Sequence, residues 1–462
     1  MRRYIFSNIC VGLLMSISLV ACKQTAAALP IVATQAPGLL ATASPEGPIK
    51  IRWFIGVGTG RTPDEVNTAR EFVKEYNEAQ GKIELELEVV TTSTHDAIDR
   101  LLGEIEAGNP PDIVAPADKG WAGEQLTGYI LALEPAQVEA ELVDINVKVL
   151  DTWREAGKLI GVPAGVYPSA IFYNKSLFDA AKLPYPPHRF GEPYADGDPW
   201  TIEKMEEIAL QLTLDSNGRN ASAPGFDASY VTQWGFHWQW DSTRSMAVMF
   251  GAGSVMNDQG NAVIPEQWRE AFHWYYDGMW QKHFIPTTAQ TNSLQRGNPF
   301  LSGKVAMVHT FLWYSPRLVG VSNWDLAAVP AYQGAITTRM EQDGIIILNT
   351  TQHPKEAMQA AYAIANSRKL LLAWEMLPTI QRLQPQFLED IQAKHPGVDW
   401  QVMVDSTNYA DTTYESMMPN YRKSYDRLLT FRDLMGSKGS VSLDEEIDRL
   451  AVDLQALFEA AP

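Results

Sequence analysis

One stretch limits what this chain can fold into more than any other. An apolar run reaches Leu159-Ile160-Gly161-Val162-Pro163, and a Gly and Pro interruption follows it through Gly165 and Pro168. A second, aromatic run then carries Ala170-Ile171-Phe172-Tyr173 into the start of a helix at Asn174-Lys175-Ser176-Leu177-Phe178. Two apolar runs parted by breakers read as a crossing between two lobes. The length agrees, because 462 residues at 45% hydrophobic are too many for one compact core and suit two large ones.

The run Ile49-Lys50-Ile51-Arg52-Trp53-Phe54-Ile55 is β-prone and leads into Gly56-Val57-Gly58-Thr59-Gly60. Thr62-Pro63-Asp64-Glu65 then reads as an N-cap, a proline in the first turn and a capping box, with Val66, Ala69, Phe72, Val73 and Tyr76 along one helical face. The glycine loop lacks both the Gly-Lys-Ser/Thr of a P-loop and the third glycine of a dinucleotide fingerprint, so it is expected to let a ligand or a neighbouring chain come close. Ile83, Leu85 and Leu87 alternate with Glu84, Glu86 and Glu88, the period of a half-buried or edge strand. A helix through Ile98, Leu101, Leu102 and Ile105 and a short strand at Asp112-Ile113-Val114 complete a β/α alternation. Such an order predicts a parallel α/β lobe that binds at the carboxyl ends of its strands. Asp118, Lys119 and Trp121 leave the third strand there, and for each of them ligand contact and ordinary loop exposure stand equal.

At the N-terminus Arg2 and Arg3 precede a charge-free apolar run from Ile5 to Val20 that closes on Leu19-Val20-Ala21-Cys22. This reads as a signal peptide over residues 1–21 with a lipobox, and Cys22 as the lipidated first residue of the mature chain. The run is short of the roughly 20 residues a spanning helix needs. Residues 22–48, rich in Ala, Thr and Pro, are expected to form a flexible tether. Largely extended, it reaches on the order of 80 Å at ~3.1 Å per residue. Cys10 falls in the removed segment, which leaves no pair for a disulfide. Removing Arg2 and Arg3 takes the formal charge from −18 to −20, a surface that repels phosphate backbones and argues against nucleic acid as a partner.

Trp234-Gly235-Phe236-His237-Trp238-Gln239-Trp240-Asp241 is the densest aromatic patch. An indole beside a carboxylate or amide suits a sugar's flat C–H face and its hydroxyl edge, and at least one of Trp234, Trp238 and Trp240 is expected on a ligand rather than in the core. Trp268, Phe272, Tyr275, Met279 and Trp280 lie at helical spacing and read as core, the stronger reading for Tyr421 and Tyr425 as well. Ser442 and Glu445 suggest a last capping box. Asp215-Ser216-Asn217-Gly218 is a turn, its glycine two places too early for an EF-hand loop, which rejects calcium there; no metal and no cofactor are expected.

Gly161-Val162-Pro163, then Tyr173-Asn174-Lys175 with Phe178, together with Phe300 and Gly303-Lys304-Val305-Ala306-Met307, resemble the family 1 extracellular solute-binding proteins of ABC importers. The resemblance covers roughly Ile49 to the C-terminus. It implies an α/β, type II periplasmic-binding-protein-like fold, with each lobe a mostly parallel sheet flanked by helices and a hinge between them. Lobe 1 would take 49–165 plus about 303–350, and lobe 2 would take 166–302 plus about 351–462. Sugar-binding members stack an aromatic residue six places beyond that methionine, here Trp313 with Tyr314 next to it, and their crossing faces the cleft at Tyr167. The resemblance further implies an extracytoplasmic protein that hands a small solute, a sugar before a polyol or glycerol phosphate, to a permease driven by a separate ATPase, and the lipobox at Cys22 would tie it to the cell membrane. No reaction is implied. The competing readings are a polysaccharide hydrolase with two spaced carboxylates and a lipoprotein feeding a sensor. Neither a Gly-x-Ser-x-Gly elbow nor a His-Glu-x-x-His helix supports a hydrolase.

Overall fold

Apolar residues at every second position set the first edge of the sheet. In the computed structural model, which describes residues 47–462 except 119–120, 135–143, 146, 156, 240–241, 252, 295–297, 412–417 and 461–462, strand β1 (Ile49–Ile55) lies parallel to the next two. It follows that Cys22, the signal segment and nearly all of the tether lie outside the described residues. Helix α1 (Pro63–Ala79) returns the chain to the edge strand β2 (Ile83–Val89), and helix α2 (Thr94–Glu106) returns it to β3 (Ile113–Asp118). Parallel neighbours need such crossovers. The cap on α1 forms as its sequence says, with the Glu65 N–H donating to Thr62 Oγ1 at 3.4 Å and the Thr62 N–H to Glu65 Oε2 at 2.7 Å.

The crossing is a single strand, β4 (Val162–Asn174), that runs through the expected interruption without breaking. After it come α3 (Ile202–Leu212), β5 (Val231–Trp238), α4 (Thr243–Val248) and α5 (Glu266–Trp280). Next are β6 (Val305–Phe311), β7 (Trp324–Ala327) and β8 (Thr338–Ile347), then α6 (Pro354–Ala365), α7 (Tyr421–Ser437) and α8 (Leu443–Glu459). The sheet runs β2-β1-β3-β8-β4-β6-β5, with β7 paired to the end of β4. The first half of β4 pairs antiparallel with β8, as in Tyr167 opposite Glu341. Its second half pairs with β6, as in Ser169 opposite Phe311. Alternation does the rest, for Ala170 and Phe172 join one hydrophobic core while Ile171 and Tyr173 join the other.

The first core is built on β1 to β3 and β8, and the second on α3, β5, α5, α7 and α8. One boundary expectation is corrected here. The segment from about 351 was assigned to the second lobe, yet Ala357, Ala360, Ala361 and Ile364 of α6, and side chains on to Met403, sit in the first core. The reason is directional. Strand β8 delivers the chain into the first half, α6 starts at once beside it, and only from Met418 does the chain supply the second core. Ser442 does precede α8, but its side chain makes no cap hydrogen bond, so the last capping box does not form; Asp444, Glu445 and Glu446 fill that first turn instead, where the helix dipole favours negative charge. No helix among the described residues is long and apolar enough to cross a membrane.

Candidate functional site

Strands β1 and β3 end side by side, and the segments just beyond them open on a cavity of about 410 Å³. Val57, Gly58 and Thr59 come from the glycine loop beyond β1, and Asp118 is the last residue of β3. The carboxyl ends of parallel strands leave backbone and side chains free for a ligand, as a parallel α/β lobe requires. Thr94 and His95 at the start of α2 add a further wall. From the other half come Ser242, just before α4, and Tyr421 and Tyr425 at the start of α7, their rings stacked 5.6 Å apart at 23°. These two tyrosines are expected in the core, and they serve both places: Tyr421 is buried in the second core and Tyr425 packs against it, while both line the cavity.

Strand β8 contributes most of the charge. A two-residue period puts Arg339, Glu341 and Asp343 on one face, and all three line the cavity. Arg339 Nη1 donates to Ser242 Oγ at 3.1 Å, and its Nη2 lies 3.7 Å from Glu341 Oε1. Trp313, just beyond β6, stacks on Phe311 at 5.8 Å and donates its indole N–H to Glu341 Oε2 at 2.7 Å. The Thr59 hydroxyl donates to Asp343 Oδ2 at 3.2 Å and lies 2.9 Å from the Tyr167 hydroxyl. Burial pushes the Asp343 carboxyl up to about 7, and the negative charge of Asp118 adds to the rise, against the Thr59 donors that oppose it. Burial likewise holds the Tyr167 phenol well above its ordinary value, with Asp343 adding to it.

Asp118, Tyr167 and Trp313 thus come together on one cavity. Tyr314 does not join them. The 3-10 helix Leu312–Leu318 after β6 turns adjacent side chains about 120° apart, so Tyr314 is fully buried, edge-on to Phe172 at 5.9 Å, with its hydroxyl on Asn298 at 2.7 Å. Trp238 is half-buried at the end of β5, edge-on to Tyr275 at 5.2 Å and away from the cavity lining, and Trp234 is buried in the first core. Lys119 and Trp240 lie outside the described residues, and Trp121 opens a short helix, Trp121–Gln125, with its side chain outside them. The sequence reading missed Arg339, Glu341 and Asp343. Their signal was present as charged residues at every second position leading into the apolar Ile345-Ile346-Ile347.

A carboxyl held near 7 in the folded chain and near 3.9 in the unfolded one costs stability as pH rises between those values, because only the unfolded form ionises freely. Asp343→Asn keeps an acceptor for Thr59 and removes the charge. It is expected to raise the melting temperature at about pH 8, with the gain vanishing near about pH 4. An equal or larger gain in acid would contradict this account of the site.

Two halves with separate cores, joined by a shared strand and facing one cavity across it, define a two-lobed binding protein of type II architecture. The family described as bacterial extracellular solute-binding protein matches residues 62–365, and the chain belongs to that family. No curated protein matches the sequence. Among solved structures, an ABC substrate-binding protein of Listeria monocytogenes in complex with cycloalternan is 17% identical, covers 88% of this chain and 98% of its own, and superposes with a TM-score of 0.70. The cyclic alpha-maltosyl-1,6-maltose binding protein of Arthrobacter globiformis is 15% identical over 89% and 100%, with a TM-score of 0.68. UspC of M. tuberculosis is 20% identical over 88% and 100%, with a TM-score of 0.66. At these identities the likeness is one of fold.

Proposed function

We propose that this solute-binding protein captures a carbohydrate in the cavity and delivers it, unreacted, to an ABC permease driven by a separate ATPase. The observation that carries the reading is Trp313, whose indole lines the cavity with its N–H fixed on Glu341, next to further carboxyl and hydroxyl groups. A flat apolar ring edged by hydrogen-bonding groups matches the two kinds of surface a sugar presents. The volume falls in the range of small-molecule pockets. Two structural relatives are described as bound to, or binding, cyclic oligosaccharides. Strand β4 serves as the hinge, since its halves pair with different parts of the sheet. In this reading Cys22 carries the lipid and residues 22–48 hold the two lobes off the membrane.

Calorimetric titration with mono- and oligosaccharides is expected to show saturable binding without release of new reducing ends. Release of such ends would end the transport reading in favour of a hydrolase. In cells, palmitate labelling that survives in Cys22→Ser would remove Cys22 as the lipidated residue.

A further inference from the structure

Two acidic residues on neighbouring strands line the cavity. Asp118 ends β3, Asp343 lies on β8, and the antiparallel register sets them directly opposite. The glycine loop closes over them, for a Cβ at Gly58 would stand 2.8 Å from Asp343 Oδ2 and 2.8 Å from the Pro116 carbonyl oxygen. The backbone N–H of Thr59 donates to that same Oδ2 at 3.3 Å and its hydroxyl at 3.2 Å, on a residue only 4% exposed. The other groups about Asp343 are the Tyr167 phenol from β4, Glu65 from α1 and Glu341 on β8 itself. The cavity's basic groups are Arg61, Arg339 and His95, of which Arg339 is engaged by Glu341 and Ser242.

Resting on the carbohydrate reading, we propose that Asp118 and Asp343 share one proton and by it select an uncharged solute with two adjacent hydroxyls, whose capture takes up a proton. A singly protonated pair offers one O–H donor beside acceptor oxygens. Two neighbouring hydroxyls offer the complement, each able to give and accept. A carboxylate on the solute would meet like charge from the singly ionised pair and from Glu341. Asp343 already holds its proton to about 7 before anything binds. A neutral solute laid over the pair displaces the remaining water and disfavours the doubly ionised state further, so the bound form holds the proton more tightly than the free form. Affinity is therefore level in acid and falls as pH rises through the free value, by no more than about tenfold per pH unit for one proton.

The test uses the wild-type protein and a neutral glycan found by the titration above. Affinity is expected to be at least about fivefold weaker at about pH 8.5 than at about pH 6, and the binding heat to differ between phosphate and Tris by the uptake of up to about one proton. Asp343→Asn should lose the slope, and the uronic acid form of the glycan should bind more weakly than the neutral one. Equal affinity at both pH values with no buffer-dependent heat, affinity that rises with pH, or tighter binding of the uronic acid would each overturn the proposal while leaving carbohydrate capture in place. If no glycan binds at any pH, the carbohydrate reading falls and takes the shared proton with it.

Discussion

Trp313→Ala is expected to weaken solute binding at least about tenfold, on the order of 1.4 kcal/mol. The indole is one wall of the cavity, stacked behind on Phe311 and pinned by its N–H to Glu341. Truncation removes the largest flat surface the solute can lie against and leaves Glu341 short of a donor. Trp313→Phe should fall between the two, because it keeps a ring and loses the N–H. The residue is only partly buried, so the fold should survive either change, and circular-dichroism melts would confirm that the variants are comparable. Calorimetry that finds the alanine variant as tight as wild type would take Trp313 out of the site.

The largest effect on stability is expected at Trp153→Ala, at about 3–5 kcal/mol. Trp153 is fully buried, and its ring lies over two glycines on neighbouring segments. A Cβ at Gly161 would come within 2.7 Å of the ring, and one at Gly344 within 2.5 Å. Both positions are held to glycine by this ring together with a backbone carbonyl, Ile345 O at 2.9 Å for Gly161 and Val162 O at 2.7 Å for Gly344. The indole N–H finds no hydrogen-bond partner among the described residues, so what alanine loses is packing, with no polar bond to complicate it. Urea unfolding should show the midpoint shift with an unchanged slope. A loss under about 1 kcal/mol would mean that the surroundings collapse into the space.

What could be read from the sequence was mostly local. The alternation of Ile83, Leu85 and Leu87 with glutamates announced an edge strand, and the Thr62 cap needed only four consecutive residues. The glycine loop was recognised as a place of close approach, and Gly58 now sits against a buried carboxyl. The helical face of α6, by contrast, says that Ala357, Ala360 and Ile364 pack against something, and it cannot say which core. That depends on where β8 has carried the chain. The same limit separates Trp313 from Tyr314: both are aromatic and adjacent, and only the turn after β6 decides which one meets the cavity. Arg339, Glu341 and Asp343 escaped because charged residues at strand spacing normally mark a wet face. Here that face turns inward because the other half of the chain closes opposite it.

The sharing of β4 bears on how this protein comes apart. Alternate side chains of a single segment are embedded in both halves, so neither half can lose its order while the other keeps Phe172 or Tyr173 seated. A bilobed molecule of this construction should behave in the calorimeter as one cooperative body. Separate expression of its two pieces would leave each with a raw apolar edge where its neighbour used to be.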